Sequence, residues 1–336
     1  MAKGHEKIIK GNGTNESEKY LKRLCEKTFL SLWSYSNVYR EQRIGAKNLE
    51  GKELADLLVV CGDDIIIFSD KKCSFPNSGD LETDWNRWYR KAIIKSSEQA
   101  WGAERWIREF PDKIFLDKEC SQPFPFKLPD RNRIRVHIVL VAHGVSERCK
   151  RRFGGSGSLM LHYSPAKINP VPFTISELNK AKTFVHILDD TTLNIILDSL
   201  DTISDFLHYL SKKEKLLRSG KTILATGEEE LLAYYLQNFE SENEHGFSFD
   251  DKYNVISLEE GGWEEFQNSP KRLEQIKANE VSYFWDELIE KFSYHIINGT
   301  QYHFRDRNVQ NSEVVLRFLA QESRLNRRVN SKGFID

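Results

Sequence analysis

The chain has 336 residues, of which 39% are hydrophobic, so it is long enough for roughly two domains with cores of their own. No apolar stretch approaches the roughly 20 residues of a membrane span. The five cysteines form no CxxC pair, which argues against a zinc knuckle and a disulfide framework. We therefore expect a cytoplasmic protein with no signal peptide and no membrane partner.

Basic and acidic residues are separated along the sequence, although the formal net charge is only −1. Residues 71–153 contain 18 Lys and Arg against 11 Asp and Glu, whereas residues 186–268 contain 6 against 18. A basic stretch can face a polyanion such as nucleic acid, and an acidic stretch is suited to solvent or a protein partner. Solvated helix faces of uneven sign would give the same counts, so charge alone does not distinguish a binding surface from ordinary exposed helices.

The sequence begins with a predicted helix and a predicted group of strands. Apolar residues at three- and four-residue spacing predict a helix over residues 16–35, with Asn15 as its N-cap and Glu18 at the capping-box position. Three extended runs predict strands over residues 38–44, 56–61 and 64–70. The Gly62-Asp63 pair between the last two runs predicts a hairpin turn.

A long aromatic-rich helix is predicted over residues 81–109, followed by a proline-rich loop and a strand over residues 135–142. The helix carries four tryptophans, Trp85, Trp88, Trp101 and Trp106. Core packing is the favoured interpretation for most of these rings, because aromatic side chains bury large areas. The predicted order is helix, three strands, helix, strand.

Beyond residue 150 the sequence changes character. A glycine- and serine-rich loop at residues 153–158 is followed by amphipathic patterns that predict helices over residues 193–210, 228–239 and 270–297. We expect two domains, residues 1–165 and residues 166–336, of which the second is mainly helical.

Acidic and basic residues at two strand ends form the strongest candidate for a catalytic site. Asp56 begins one strand of the predicted hairpin, and Asp70-Lys71-Lys72 ends the other. Since side chains alternate along a strand, Asp70 and Lys72 project the same way and can share a site with Asp56. Two carboxylates so placed can hold Mg²⁺ or Mn²⁺. The lysine can orient or deprotonate an attacking water.

This segment resembles the PD-(D/E)xK nuclease superfamily, in which an acid and an (Asp/Glu)-x-Lys triplet lie on two antiparallel strands. The resemblance covers about residues 15–145 and implies an α/β fold with a restriction-endonuclease-like mixed sheet flanked by helices. It implies that Asp56 and Asp70 bind the metal and that Lys72 orients or deprotonates the attacking water. Glu18 matches the helical acid of many members, and Gln99 matches a glutamine that some members carry in the following helix.

The register of the triplet has an alternative. Ser69-Asp70-Lys71 also fits the spacing, with serine in place of the second acid and Lys71 as the lysine. We prefer Asp70 and Lys72, because a site without the second carboxylate holds its metal less well.

The resemblance implies a Mg²⁺-dependent nuclease that hydrolyses phosphodiester bonds. DNA is the favoured substrate and an RNase with the same site is the alternative, because both substrates present phosphates to the same metal chemistry. Four basic residues of the aromatic helix are candidate phosphate contacts, namely Arg87, Arg90, Lys91 and Lys95. Many bacterial nucleases of this architecture serve antiviral defence beside a partner subunit. The acidic C-terminal half is then a candidate surface for a protein partner or for oligomerisation.

The alternative function is a catalytically inactive nuclease fold that acts as an interaction or nucleic-acid-binding subunit, with the acids kept as turn residues.

His137 and His143 are predicted to be ordinary packing residues, because no Cys or Asp stands near them in the sequence.

Overall fold

The computed structural model describes residues 6–41, 50–166, 171–241, 244–300 and 308–335. These residues form an α/β fold in which helices flank a six-stranded mixed sheet. A four-stranded sheet and a run of helices follow along the chain. The expected class, a mixed sheet flanked by helices with a helical C-terminal region, is therefore confirmed.

The first helix and three strands form in the predicted order: α1 (Glu16–Phe29), β1 (Ser34–Arg40), β2 (Lys52–Cys61) and β3 (Asp64–Lys72). Helix α1 begins where the Asn15 side chain accepts a hydrogen bond from the Glu18 N–H at 3.0 Å, as the capping pattern predicts. It ends at Phe29 rather than at residue 35, because Leu30 takes a φ of 66° and turns the chain into β1.

Strands β2 and β3 form the predicted hairpin. Gly62 at its turn has a φ of 63°, a conformation that glycine adopts without steric cost. The central residues of both strands are buried on both faces, because helices cover the two sides of the sheet. The hairpin is thus the rigid centre of the first sheet.

The predicted aromatic helix is present as α2 (Leu81–Tyr89) and α3 (Lys95–Glu109), joined without a break by a π-helical turn at Arg90–Ile94. Trp85, Trp88 and Trp106 are buried, which confirms the core interpretation. Trp85 and Trp88 stack with ring centroids 5.4 Å apart. Their burial fixes this helix against the sheet.

The chain continues through β4 (Ile114–Phe115), β5 (Arg135–His143), α4 (Ser146–Phe153), β6 (Met160–Tyr163), β7 (Thr174–Ile175) and β8 (Val185–Asp189). The first sheet has the order β4-β1-β2-β3-β5-β8. Strands β1, β2 and β3 are antiparallel neighbours, whereas β5 lies parallel to β3, and β8 lies parallel to β5.

The remaining elements are α5 (Thr192–Ser199), α6 (Ile203–Leu217), β9 (Thr222–Ala225), α7 (Glu228–Gln237), β10 (Phe239–Ser241), β11 (Glu244–His245), β12 (Val255–Leu258), α8 (Gly262–Asn268), α9 (Pro270–Asn279), α10 (Tyr283–Ile297), α11 (Val309–Ala320) and α12 (Arg324–Ile335). Strands β12, β9, β6 and β7 form the second sheet in that order. This sheet was not predicted, because its strands have only two to four residues.

The single helix predicted over residues 193–210 is two helices. Helix α5 ends at Ser199, and the Thr202 hydroxyl caps α6 by accepting a hydrogen bond from the Asp205 N–H at 3.1 Å. The apolar spacing continues across this break, so periodicity alone did not reveal it.

The two sheets interleave across the domain boundary expected at residue 165. Strand β6 lies before that residue and belongs to the second sheet, whereas β8 lies after it and completes the first. No helix in the described part of the chain is long and apolar enough to cross a membrane.

Candidate active site

Strands β2 and β3 separate at one end of the hairpin. Their pairing runs from Cys61–Asp64 at the turn to Leu57–Phe68. Beyond that point β2 stays paired with β1 as far as Lys52, and β3 stays paired with β5 as far as Lys72. Because the two strands follow different neighbours, a groove opens where they part, and Asp56 and Ser69 border it.

Asp56 lies at the point where the strands part. Its Oδ2 atom accepts a hydrogen bond of 2.6 Å from the backbone N–H of Asp70, in place of a ladder bond between the strands. Burial raises the pKa of Asp56 to about 7 against the lowering effect of this bond. The negative charges of Glu53, Glu18 and Asp70 are smaller contributions to the same raised pKa. Three neighbouring carboxylates therefore act on that of Asp56.

Glu53 is a member of this group that sequence reasoning missed. Strict alternation would place Glu53 and Asp56, three residues apart, on opposite faces of β2. The register between β1 and β2 shifts, however, since Val38 pairs with Ala55 and Tyr39 pairs with Glu53. This β-bulge inserts one residue into β2, and Glu53 and Asp56 both line the groove as a result.

Glu18 is engaged at the start of α1. Its Oε2 atom accepts hydrogen bonds from the Thr14 N–H and hydroxyl, both at 2.7 Å, and from Asn37 Nδ2 at 3.1 Å. Its Oε1 atom accepts a bond of 2.5 Å from Asn15 Nδ2. Asn37 Nδ2 also donates to Glu53 Oε1 at 2.9 Å. Glu18 therefore binds Thr14 and the Asn15 side chain rather than the Asn15 N–H that a capping box uses, and Asn37 links it to Glu53.

The Asp70 carboxylate is almost fully buried and forms an ion pair. Its side chain is 1% exposed, and its Oδ1 atom lies 2.6 Å from His143 Nε2. The other ring nitrogen of His143 lies 2.8 Å from Asp190 Oδ1. Burial by itself would lower the pKa of His143, but the bonds to Asp190 and Asp70 outweigh it and raise that pKa to about 9. The imidazolium thus holds two carboxylates.

This arrangement corrects the prediction that His143 and His137 are ordinary packing residues. His143 binds Asp70 and Asp190, and His137 Nε2 lies 3.0 Å from Asp64 Oδ1. The contacts of His143 with Asp70 and of His137 with Asp64 both join β5 to β3. They follow from the parallel pairing of β3 with β5, which the sequence alone did not reveal.

Lys71 and Lys72 are the last two residues of β3. Lys72 is exposed and Lys71 is half-buried. Neither amine forms a hydrogen bond or ion pair within the described residues. Side-chain alternation places Lys72 on the face of Asp70 and Lys71 on the face of Ser69. Both registers of the triplet thus remain predictions.

The groove has a volume of ≈ 880 Å³, and Asp56, Ser69 and Gln99 all border it. Four cations border it as well: Arg40, Lys52, Lys95 and Arg105. The groove thus joins Asp56 to the predicted glutamine and to one predicted phosphate contact, Lys95. Gln99 is exposed on α3 and can meet a ligand in the groove.

The other predicted site residues lie outside the lining of the groove. Glu18, Asp70 and Lys72 do not border it. Arg87, Arg90 and Lys91 are exposed along α2 and the π-helical turn, and they form no ion pair within the part of the chain that the structure describes.

The donor set fits a hard divalent cation in its chemistry, because Mg²⁺ and Mn²⁺ bind carboxylate oxygens. Asp56 and Asp70 are the residues that would hold it. Within the described ranges, however, no group of three or more His, Cys, Asp or Glu side chains is arranged to hold a metal ion. The Asp70 carboxylate is held by His143 instead.

Comparison with protein-family models, with curated proteins and with solved structures found no match for this chain. The function is therefore argued from the site itself.

Proposed function

We propose that the chain is a Mg²⁺- or Mn²⁺-dependent nuclease that hydrolyses DNA at the separated ends of β2 and β3. The observation that carries this proposal is the position of Asp56. Its carboxylate stands where the strands part, hydrogen-bonded to the Asp70 N–H, and it borders a groove that also holds Gln99 and four cations. Acids at a strand separation, beside a groove that also offers cations to a phosphate, suit a phosphodiester substrate.

The element order supports a restriction-endonuclease-like core. Helix α1 precedes an antiparallel group of three strands, and α2 and α3 lead to β5, which lies parallel to β3. This is the order that the resemblance to PD-(D/E)xK nucleases implies. The residues at the matching positions, Asp56, Asp70 and Lys72, carry the proposed chemistry.

Each residue has a distinct role in this proposal. Asp56 and Asp70 hold the cation, which when bound would supply Lewis-acid activation of water and charge compensation at the phosphate. Lys72 orients the attacking water or stabilises the developing negative charge, with Lys71 as the alternative. Gln99 hydrogen-bonds within the groove. His143 keeps the Asp70 carboxylate paired until the site is loaded.

The substrate contact is electrostatic. Lys95 and the other cations of the groove face the reacting phosphate, and Arg87, Arg90 and Lys91 extend the positive surface along the same helix. The acidic C-terminal half is unsuited to a polyanion, and we propose that it docks a protein partner or a second copy of the chain.

One observation favours the alternative, an inactive nuclease fold that acts as an interaction subunit. The Asp70 carboxylate is already paired with His143, and the described residues contain no preformed metal-binding group. In this case the acids stabilise the strand ends and perform no chemistry.

Incubation of the wild-type chain with linear DNA, circular DNA and RNA separates the two functions. Each substrate is tested with Mg²⁺, with Mn²⁺ and with a chelator. The nuclease proposal expects DNA cleavage that the chelator abolishes. Cleavage of RNA alone would overturn the substrate assignment. Absence of cleavage on all three substrates, with either metal, would favour the interaction subunit.

A further inference from the structure

A second cavity lies in the C-terminal half, among α6, α7, α9 and α12. Its volume is ≈ 900 Å³, which is within the usual range for pockets that bind small organic molecules. It shares no lining residue with the groove at β2 and β3. Any ligand of this cavity would therefore be distinct from the proposed substrate.

Arg272 on α9 is buried at the edge of this cavity and has no direct ion pair within the described residues. The residue is 8% exposed. Nη1 donates a hydrogen bond of 2.8 Å to Gln275 Oε1, whereas the buried Nε atom has no hydrogen-bond partner. The guanidinium carbon lies 5.2 Å from the centre of the Phe266 ring. Nε is thus a buried donor without a partner among the described residues.

Neighbouring arginines show how the fold pairs such a charge elsewhere. Arg324, also at the cavity, lies 2.8 Å from Asp201 and 2.8 Å from Asp286. Arg327 lies 2.5 Å from Asp286. The negative charge of Asp201 acts on Arg272, but no acid forms a direct ion pair with it within the described residues. A buried charge without a direct partner is costly, and an anion from outside the chain would offset this cost.

We propose that this cavity binds a small phosphorylated organic molecule, whose phosphate pairs with the guanidinium of Arg272. A planar guanidinium presents two parallel donors that match phosphate or carboxylate oxygens. Phosphate is favoured because Lys271 and Arg328 also border the cavity and form no ion pair within the described residues. These two cations match the additional charge and oxygens of a phosphate.

The rest of the lining fits the organic part of such a ligand. Tyr235, Phe239 and Phe266 border the cavity and offer aromatic surface. Three acids border it as well, Asp205, Glu244 and Glu274, and none of them forms an ion pair with Arg272. Glu244 is instead bound by His208 at 2.7 Å.

Thermal unfolding of the full chain tests this proposal with inorganic phosphate as the probe. Three proteins are compared at equal ionic strength: the wild type, Arg272→Met and Lys277→Met. Lys277 is exposed on the same helix and does not border the cavity, so its variant controls for the loss of one positive charge. Acetate serves as the carboxylate probe, and a nucleoside monophosphate serves as an organic phosphate.

Phosphate at ten times its dissociation constant should raise the unfolding midpoint of the wild type and of Lys277→Met by about 2–3 °C, and that of Arg272→Met by less than a third of this. Without phosphate, Arg272→Met should unfold at or above the wild-type midpoint, because it removes an uncompensated buried charge. Nucleoside monophosphate should act at lower concentration than phosphate.

Several results would overturn the proposal. Equal shifts in all three proteins would show adventitious ion binding, and a response to acetate alone would refute the phosphate assignment. A loss of stability in Arg272→Met with an intact phosphate response would make the guanidinium structural. None of these measurements uses cleavage, so the outcome is independent of the proposed nuclease activity.

Discussion

The Asp56 carboxylate accepts a hydrogen bond of 2.6 Å from the backbone N–H of Asp70, at the place where β2 and β3 stop pairing. An unpaired backbone donor is costly away from water, so this side chain replaces the lost ladder bond. The same contact brings an acid of one strand to the triplet of the other. One hydrogen bond thus stabilises the strand separation and assembles the candidate site.

The ionisation of Asp56 should make stability depend on pH in metal-free buffer. Its pKa is raised from 3.8 to about 7, so the folded chain holds this proton more tightly than the unfolded chain. The resulting stability is full below about pH 4 and is lost as the pH rises through about 7. At about 1.4 kcal/mol per pKa unit, we expect a loss of about 2–4 kcal/mol between these values.

Urea unfolding with a chelator present, at several pH values, measures this loss. The Asp56→Asn variant keeps an oxygen acceptor for the Asp70 N–H but does not ionise. Over the same pH interval, the variant should lose less free energy of unfolding than the wild type, by at least about 2 kcal/mol. Identical pH profiles for the two proteins would contradict the assignment of the raised pKa to Asp56.

Glu18 should act mainly on stability. Its carboxylate accepts four hydrogen bonds at the start of α1, and glutamine cannot accept them all because its amide nitrogen only donates. Glu18→Gln should therefore lower the free energy of unfolding by about 1–2 kcal/mol and change the cleavage rate of the folded protein by less than about threefold. A loss of cleavage of about 100-fold without a loss of stability would assign Glu18 to the metal instead.

Strong periodic patterns made much of the first sheet predictable. The hairpin of β2 and β3 has apolar runs with Val and Ile on either side of Gly62, and the capping of α1 depends on residues only three positions apart. The second sheet had no comparable signal, because strands of two to four residues show no reliable alternation.

The candidate site was less predictable, since its contacts depend on pairing between distant strands. His143 reaches Asp70 only because β5 lies parallel to β3, with Lys72 opposite His143. Glu53 enters the groove through a β-bulge, and strict alternation would have excluded it. A sequence pattern does not encode such register shifts in a readable form.

Cleavage rates identify which lysine, Lys71 or Lys72, belongs to the catalytic triplet. Lys72 lies on the face of Asp70, so Lys72→Ala should reduce kcat by roughly 10²–10³-fold, whereas Lys71→Ala should reduce it by less than about tenfold. Both side chains are free of ion pairs within the described residues, so neither variant should unfold the protein. The opposite ranking of the two variants would establish the Ser69–Lys71 register.

The cations of the aromatic helix should contribute to DNA affinity through phosphate contacts. Lys95→Ala and Arg90→Ala, made in an Asp56→Asn background that does not cleave, should each weaken binding and reduce the slope of log affinity against log salt by about 0.9. Lys277→Ala, on α9, is the matched control and should leave the slope unchanged. Fluorescence anisotropy with labelled duplex DNA measures both quantities. Equal effects of all three substitutions would contradict a specific role for this helix.

The most direct test of the nuclease account is the rate at which linear duplex DNA is cleaved with Mg²⁺ by the wild type, Asp56→Asn and Asp63→Asn. Asp63 lies in the turn of the same hairpin and pairs with exposed Arg133, so its variant is a control for the loss of an acid. The account predicts a loss of about 10²-fold or more for Asp56→Asn and less than about threefold for Asp63→Asn. Cleavage by Asp56→Asn at the wild-type rate would contradict it.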